Sequence, residues 1–199
     1  MNKKNLVLVG GYAGSGKTEL ARFLAHKLHA ALLDKDSLTR GLVEIACEAL
    51  IGNPDDRESR SYVRKVRPAE YDCLMTTTWD VLDNGGNVVV SAPFLQEITD
   101  ELWINDVKNY TKKIKAQLGI IWVSCDVDIM YKRLVDRDAG RDAWKIENWP
   151  DYSRALDLEL RPAYPHYEVV NNTVSLNQLK SDADSAIASL IEQWAGYQG

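Results

Sequence analysis

The chain has 199 residues, 45% of them hydrophobic and 27% charged, with a formal net charge of −5. That length buries a sizeable core in one domain, and the composition excludes a disordered chain, while the acidic balance argues against indiscriminate binding to nucleic acid. No apolar run is long enough for a bilayer span, and Cys47, Cys73 and Cys125 read as reduced core thiols of a cytoplasmic protein, not as disulfides or metal ligands.

The N-terminal residues lead into a short apolar run that ends in glycines, which does not fit a signal peptide. Residues 5–9, Asn-Leu-Val-Leu-Val, predict a first buried strand. It runs into Gly11-Tyr12-Ala13-Gly14-Ser15-Gly16-Lys17-Thr18, which fits G-x-x-x-x-G-K-[ST]. Leu20, Phe23, Leu24 and Leu28 then give one apolar helix face, so the motif lies between a strand and a helix, as a phosphate-binding loop requires. Gly11, Ala13, Gly14, Ser15, Gly16 and Glu19 frame the phosphates of a nucleoside triphosphate. Lys17 reaches the β- and γ-phosphates and the Thr18 hydroxyl ligates Mg²⁺.

Residues 30–34 predict a second strand, closing in Asp34-Lys35-Asp36-Ser37. The C-terminal ends of parallel strands face the ligand crevice, so these carboxylates lie near the γ-phosphate. Asp34 either holds Mg²⁺ or caps the following helix; Asp36 is suited to accept a proton from an acceptor hydroxyl. Arg40, Arg64 and Arg67 either bind an anionic acceptor or pair with Glu58, Glu70 and Asp72. Tyr71, Leu74, Met75, Thr78 and Leu82 share a helix face, with Pro68 near its start. Asp83-Asn84-Gly85-Gly86 matches D-x-x-G but precedes a strand, so it reads as a helix-ending turn.

Residues 87–91 predict a third strand, with Ser91-Ala92-Pro93 at its tip. AAA-type and motor ATPases carry an acidic strand tip, and GTPases an N-K-x-D motif; neither is present, which favours a small kinase. Residues 118–124 predict a fourth strand. Beyond it, Arg133, Arg137 and Arg141 are spaced by four and line one face if the helix persists through Gly140. Trp144, Trp149 and Tyr152 either stack on a flat substrate or pack the fold. Residues 167–170 predict a fifth strand. Leu176, Leu179, Ala183, Ile187, Leu190, Ile191 and Trp194 form a packing stripe on a last helix. Apolar strands separated by helices predict a single three-layer α/β domain over residues 1–199, with a parallel sheet covered on both faces.

The loop, Asp36-Ser37-Leu38 after the second strand, Arg67-Pro68-Ala69-Glu70-Tyr71, and the strand running into Ser91-Ala92-Pro93-Phe94 together resemble the small P-loop phosphotransferases. These include chloramphenicol phosphotransferase, gluconate kinase, the kinase domain of phage polynucleotide kinase, and zeta toxins. The resemblance implies a P-loop NTPase fold with five parallel strands in the order 2-3-1-4-5 and a helical lid over about residues 136–152. It implies Asp36 as general base, and Arg137 and Arg141 as lid residues closing over ATP, with Arg133 structural. It also implies adenine support from Asn171, Asn172 and Thr173. The expected activity is ATP- and Mg²⁺-dependent transfer of the γ-phosphate to a hydroxyl of a small molecule such as a sugar, antibiotic or nucleoside. The alternatives are a nucleotide or polynucleotide kinase, and an ATP-gated binding module without catalysis.

Overall fold

Runs of Val, Ile and Leu bounded by glycine, proline or a polar tip fix where the backbone is extended, because β-branched side chains pack well on a pleated, fully covered surface. In the structure, a computed structural model describing residues 4–172 and 175–196, these runs are β1 (Lys4–Gly10), β2 (Ala31–Asp34), β3 (Val88–Ser91), β4 (Ala116–Ser124) and β5 (Tyr167–Val170). All pair in parallel, in the order β2-β3-β1-β4-β5. Asp34 and Val9 both stand in register with Ser91, so three strand tips end level.

The side-chain period of two divides the core into two layers. Leu6, Leu8, Val88, Val90, Ile120 and Trp122 face α3 (Arg67–Asp83) and α4 (Glu101–Lys113). Val7, Val9, Val89, Ile121 and Val123 face α1 (Lys17–Lys27) and α8 (Leu176–Gly196). The predicted face of α3 is buried throughout, and Pro68 sits in its first turn. On α8, Leu179, Ala183, Leu190 and Trp194 are buried, and the Trp194 indole N–H donates to the Leu118 carbonyl at 2.9 Å. Ile191, assigned to that stripe, is instead 54% exposed, and Ala186 takes its place in the core. A helix wider in its apolar content than its contact seam leaves one flank in water.

Three further features position the site. α2 (Lys35–Ile51) starts directly at the β2 tip. A π-helical turn, Tyr62–Val66, feeds straight into α3. α5 (Val127–Arg137) is followed by a 3₁₀ turn, Gly140–Asp142, and two short helices, α6 (Ala143–Glu147) and α7 (Trp149–Arg154). The α5 helix does not persist through Gly140: Asp138 turns left-handed at φ 46° and Ala139 is extended. The three arginines therefore do not share one helix face. The D-x-x-G segment does close α3, with the Gly86 N–H returning to the Val81 carbonyl. Only Cys47 is a core thiol; Cys73 is exposed on α3 and Cys125 is half-buried, since neither falls on an inward position of its segment. Among the described residues no helix is long and apolar enough to cross a membrane.

Candidate active site

The loop between β1 and α1 is shaped by glycines that no other residue replaces without collision. At Gly11 (φ 148°) a side chain would run into the Val123 carbonyl, and at Gly16 (φ 89°) into the Asn171 amide. No side chain caps the start of α1. Its first backbone N–H groups therefore lack intrahelical partners, and with the helix dipole they favour an anion. Lys17 donates to the Tyr12 carbonyl at 3.2 Å, across the loop. Burial lowers the Lys17 ammonium to about 8, against the opposing pull of Asp36 and Asp34. Ala13, Gly14, Gly16 and Glu19 line the cleft, with the exposed Glu19 side chain paired to Arg22. Ser15 is buried under the loop, and its carbonyl accepts from Arg133 at 3.1 Å and from Asn171 at 2.9 Å.

That last contact changes one expectation. The resemblance implies Asn171 as adenine support, yet its buried side chain is spent fastening the loop and Arg133. Asn172 accepts from the Asp126 backbone N–H at the start of α5, and Thr173 lies outside the described residues. Arg133, expected to be structural, braces the carbonyls of Gly14 and Ser15 and also lines the cleft.

At the β2 tip, Asp34 caps the following helix and also reaches the phosphate loop. Its Oδ1 caps α2 by accepting from the Ser37 N–H at 3.0 Å, and its Oδ2 accepts from the Thr18 hydroxyl at 3.1 Å. The Ser91 hydroxyl lies 3.3 Å from that of Thr18. Two hydroxyls and a carboxylate make an all-oxygen donor set, which suits Mg²⁺, a hard cation that keeps most of its waters. Ser91 is missing from the sequence-derived site; its place at a buried strand tip between β1 and β2 is the signal that marks it.

Asp36 stands in the same cleft. Lys35 Nζ lies 3.1 Å from its Oδ1, and Arg141 Nε lies 3.1 Å from its Oδ2. Burial alone would raise the Asp36 carboxyl; the Lys35 and Arg141 charges outweigh it and hold the group well below the usual carboxylate range. Arg141 thus reaches the cleft from the 3₁₀ turn. Arg137 lines it too, but its Nε donates to the buried Asp142 carboxylate at 2.9 Å.

On the far side, Arg67 is committed to Glu97 at 2.8 Å and to Gln96, and stacks over Tyr71, so it does not present a free cation. Glu70 pairs with Lys35 at 2.6 Å and Glu58 with Lys145, and not with the arginines considered for them. Arg64 and Arg40 are exposed, and of these Arg40 lines the cleft. Trp149 packs between Tyr131 and Tyr152 (ring centroids 4.9 and 5.5 Å apart) and so holds the segment after α5 together, whereas Trp144 is 47% exposed. Tyr152 alone of the three lines the cleft. The whole cleft encloses 620 Å³.

The structure resembles solved small kinases. Adenosine 5′-phosphosulfate (APS) kinase of Mycobacterium tuberculosis, solved with AMPPNP and APS, superposes with a TM-score of 0.60 at 17% identity, covering 96% of this chain and 99% of that one. A gluconokinase from Sinorhizobium meliloti superposes at 0.59 with 14% identity over the full length of both. In sequence, the chain is 25% identical to a shikimate kinase of Staphylococcus aureus over 135 residues, 67% of this chain, and the match spans 64% of that relative's length. The family described as AAA domain (AAA_33) matches residues 6–156. β3 does end at Ser91 with no acidic residue, but that feature, which in the sequence argues against AAA-type ATPases, does not place the chain outside this family. With its loop, sheet order and cleft in place and three quarters of its length matched, the chain belongs to this AAA domain family of P-loop proteins.

Proposed function

We propose that the protein is an ATP-dependent phosphotransferase that moves the γ-phosphoryl group to a hydroxyl of a small molecule. The observation that carries this reading is the placement of the ionised Asp36 carboxylate in the cleft that also holds Lys17, Thr18 and Arg141. A binding loop alone needs no such base; a transfer site does. The loop N–H groups and Lys17 hold the phosphates. Thr18 and Asp34, with Ser91, would hold Mg²⁺, which offsets phosphate charge. Asp36 orients the acceptor hydroxyl. Its oxygen bonds to the γ-phosphorus, the bond to the bridging oxygen breaks, ADP leaves, and the proton passes to Asp36. Arg141 and Arg137, on a lid over about residues 136–152, exchange their carboxylate partners for the transferring phosphoryl group.

A cleft of 620 Å³ is of the size that takes small ligands, which supports a small acceptor over a polymer. Arg40 at its rim suits an anionic group on that acceptor, a role Arg67 cannot take while bound to Glu97. The test is Asp36→Asn. It is expected to bind AMPPNP as tightly as the parent while transfer drops by about 10²- to 10⁴-fold. Transfer at the parent rate would remove Asp36 as the base.

A further inference from the structure

Behind Asp36 lies a charged group that the phosphotransfer reading leaves unused. Lys35 and Glu70 are 5% and 4% exposed, and charged residues are almost never this buried unless paired. Glu70 Oε1 accepts from Lys35 Nζ at 2.6 Å and lies 3.0 Å from the Thr39 hydroxyl, while Oε2 accepts from the Tyr62 hydroxyl. Tyr62, itself buried, is delivered by the π-helical turn, a distortion found often at functional sites. Burial and the adjoining Glu70 charge keep its phenol protonated far above its ordinary range, so it donates at every physiological pH. Stability does not explain such a cluster, because an apolar pair of similar volume usually serves as well or better.

What the cluster does is fix one ammonium. Lys35 Nζ is held from behind by Glu70 and touches Asp36 Oδ1 in front. Asp36 Oδ2 pairs with Arg141, from the segment after α5. One oxygen is thus anchored to the protein interior and the other to a segment outside the sheet.

We infer that Lys35 is a positioning residue, clamped by Glu70, Thr39 and Tyr62, which aims Asp36 by holding Oδ1 so that Oδ2 is the oxygen presented to the acceptor hydroxyl. This rests on the assignment of Asp36 under the phosphotransfer reading. The acceptor oxygen and Arg141 compete for Oδ2, while Lys35 stays in place throughout. The carboxylate then has one orientation instead of the many open to a half-exposed side chain, and losing it misplaces the base by the small distance that costs about a hundredfold in rate.

The test compares four full-length proteins: the parent, Asp36→Asn, the charge-neutral double variant Lys35→Met/Glu70→Gln, and all three changes together. The Glu70→Gln change keeps an amide oxygen as acceptor for the Tyr62 hydroxyl and turns an NH₂ donor toward Thr39, whose own hydroxyl donates to the Lys35 carbonyl, so no buried charge is stranded. The readouts are AMPPNP affinity and turnover of Mg-ATP with water as the acceptor, expressed per nucleotide-binding site, so that loss of folded protein does not count. The double variant is expected to keep AMPPNP affinity within about twofold and to lose about 10- to 100-fold in turnover. The triple variant is expected to be no slower than Asp36→Asn alone, since groups acting as a unit are non-additive. Parent-level turnover in the double variant, or losses that multiply in the triple, would overturn the inference. Parent-level turnover in Asp36→Asn would instead overturn the role of Asp36 itself.

Discussion

The two sides of the cleft are built by different means. The phosphate side is backbone: the closely spaced Gly11, Gly14 and Gly16, the uncapped start of α1, and a lysine folded over its own loop. The acceptor side is side chain: Lys35, Glu70 and Tyr62 fix one another, and Arg141, from a separate segment, pairs with Asp36. The first holds a constant ligand by shape. The second depends on charge pairs, of which the one between Arg141 and Asp36 is open to exchange when a substrate arrives. A site of this kind is rigid where the chemistry is common and adjustable where specificity resides.

The sharpest way to break the contrast is on the exchangeable side. Arg141→Ala removes the cation that Asp36 holds in the present arrangement, and should lower kcat for transfer by about 10³-fold or more, as loss of an arginine at the transferring phosphoryl does. Arg137→Ala should do so less, since Arg137 is already tied to Asp142. Full turnover in both would place the lid arginines outside the reaction. Next comes Glu70→Ala, which strands the buried Lys35 ammonium. It should cost about 3–5 kcal/mol in urea unfolding, and a change under about 1 kcal/mol would mean the pair is not buried as described. On the phosphate side, Asn171→Ala unties the Ser15 carbonyl and should cost about 1–3 kcal/mol, read as weaker AMPPNP binding. An unchanged affinity would show that the loop holds its shape without Asn171, braced by Arg133.

The smallest effect is a pH dependence. Lys17 is lowered to about 8 by burial in the nucleotide-free protein. Phosphate charge raises it again, so binding takes up a proton above pH 8. AMPPNP affinity should be level from about pH 7.5 to 8, then fall by up to about tenfold per pH unit, a factor equivalent to about 1.4 kcal/mol. Lys17→Gln should lack that break; a break retained in the variant would assign it to another group.

The contrast also explains what can be read in the sequence. The loop occupies consecutive residues and its flanking periodicities are local, so both it and the five strands are plain from the residues, and the sheet order follows from the family resemblance. The Lys35–Glu70 pair spans 35 positions, and its charges look like solvated faces on two helices. Nothing in residue spacing says that a π-helical turn will bring Tyr62 against them. The four-residue spacing of Arg133, Arg137 and Arg141 suggests one face, but the left-handed turn at Asp138 breaks it, and Arg141 arrives from another direction. For Arg67 the sequence offers an anionic acceptor or the nearby Glu58, Glu70 and Asp72, while its partners in the fold, Gln96 and Glu97, lie about thirty residues downstream.

One measurement bears most directly on the claim that this cleft transfers phosphate to a small hydroxyl compound. ATP labelled at the γ-phosphate would be offered with Mg²⁺ and a panel of hydroxy acids, sugars, antibiotics and nucleosides, each acid paired with its neutral analogue. Label should move into an organic acceptor, an anionic one before its neutral counterpart, and the movement should vanish in Asp36→Asn. Label released only as inorganic phosphate, at one rate whatever is added, would contradict the account.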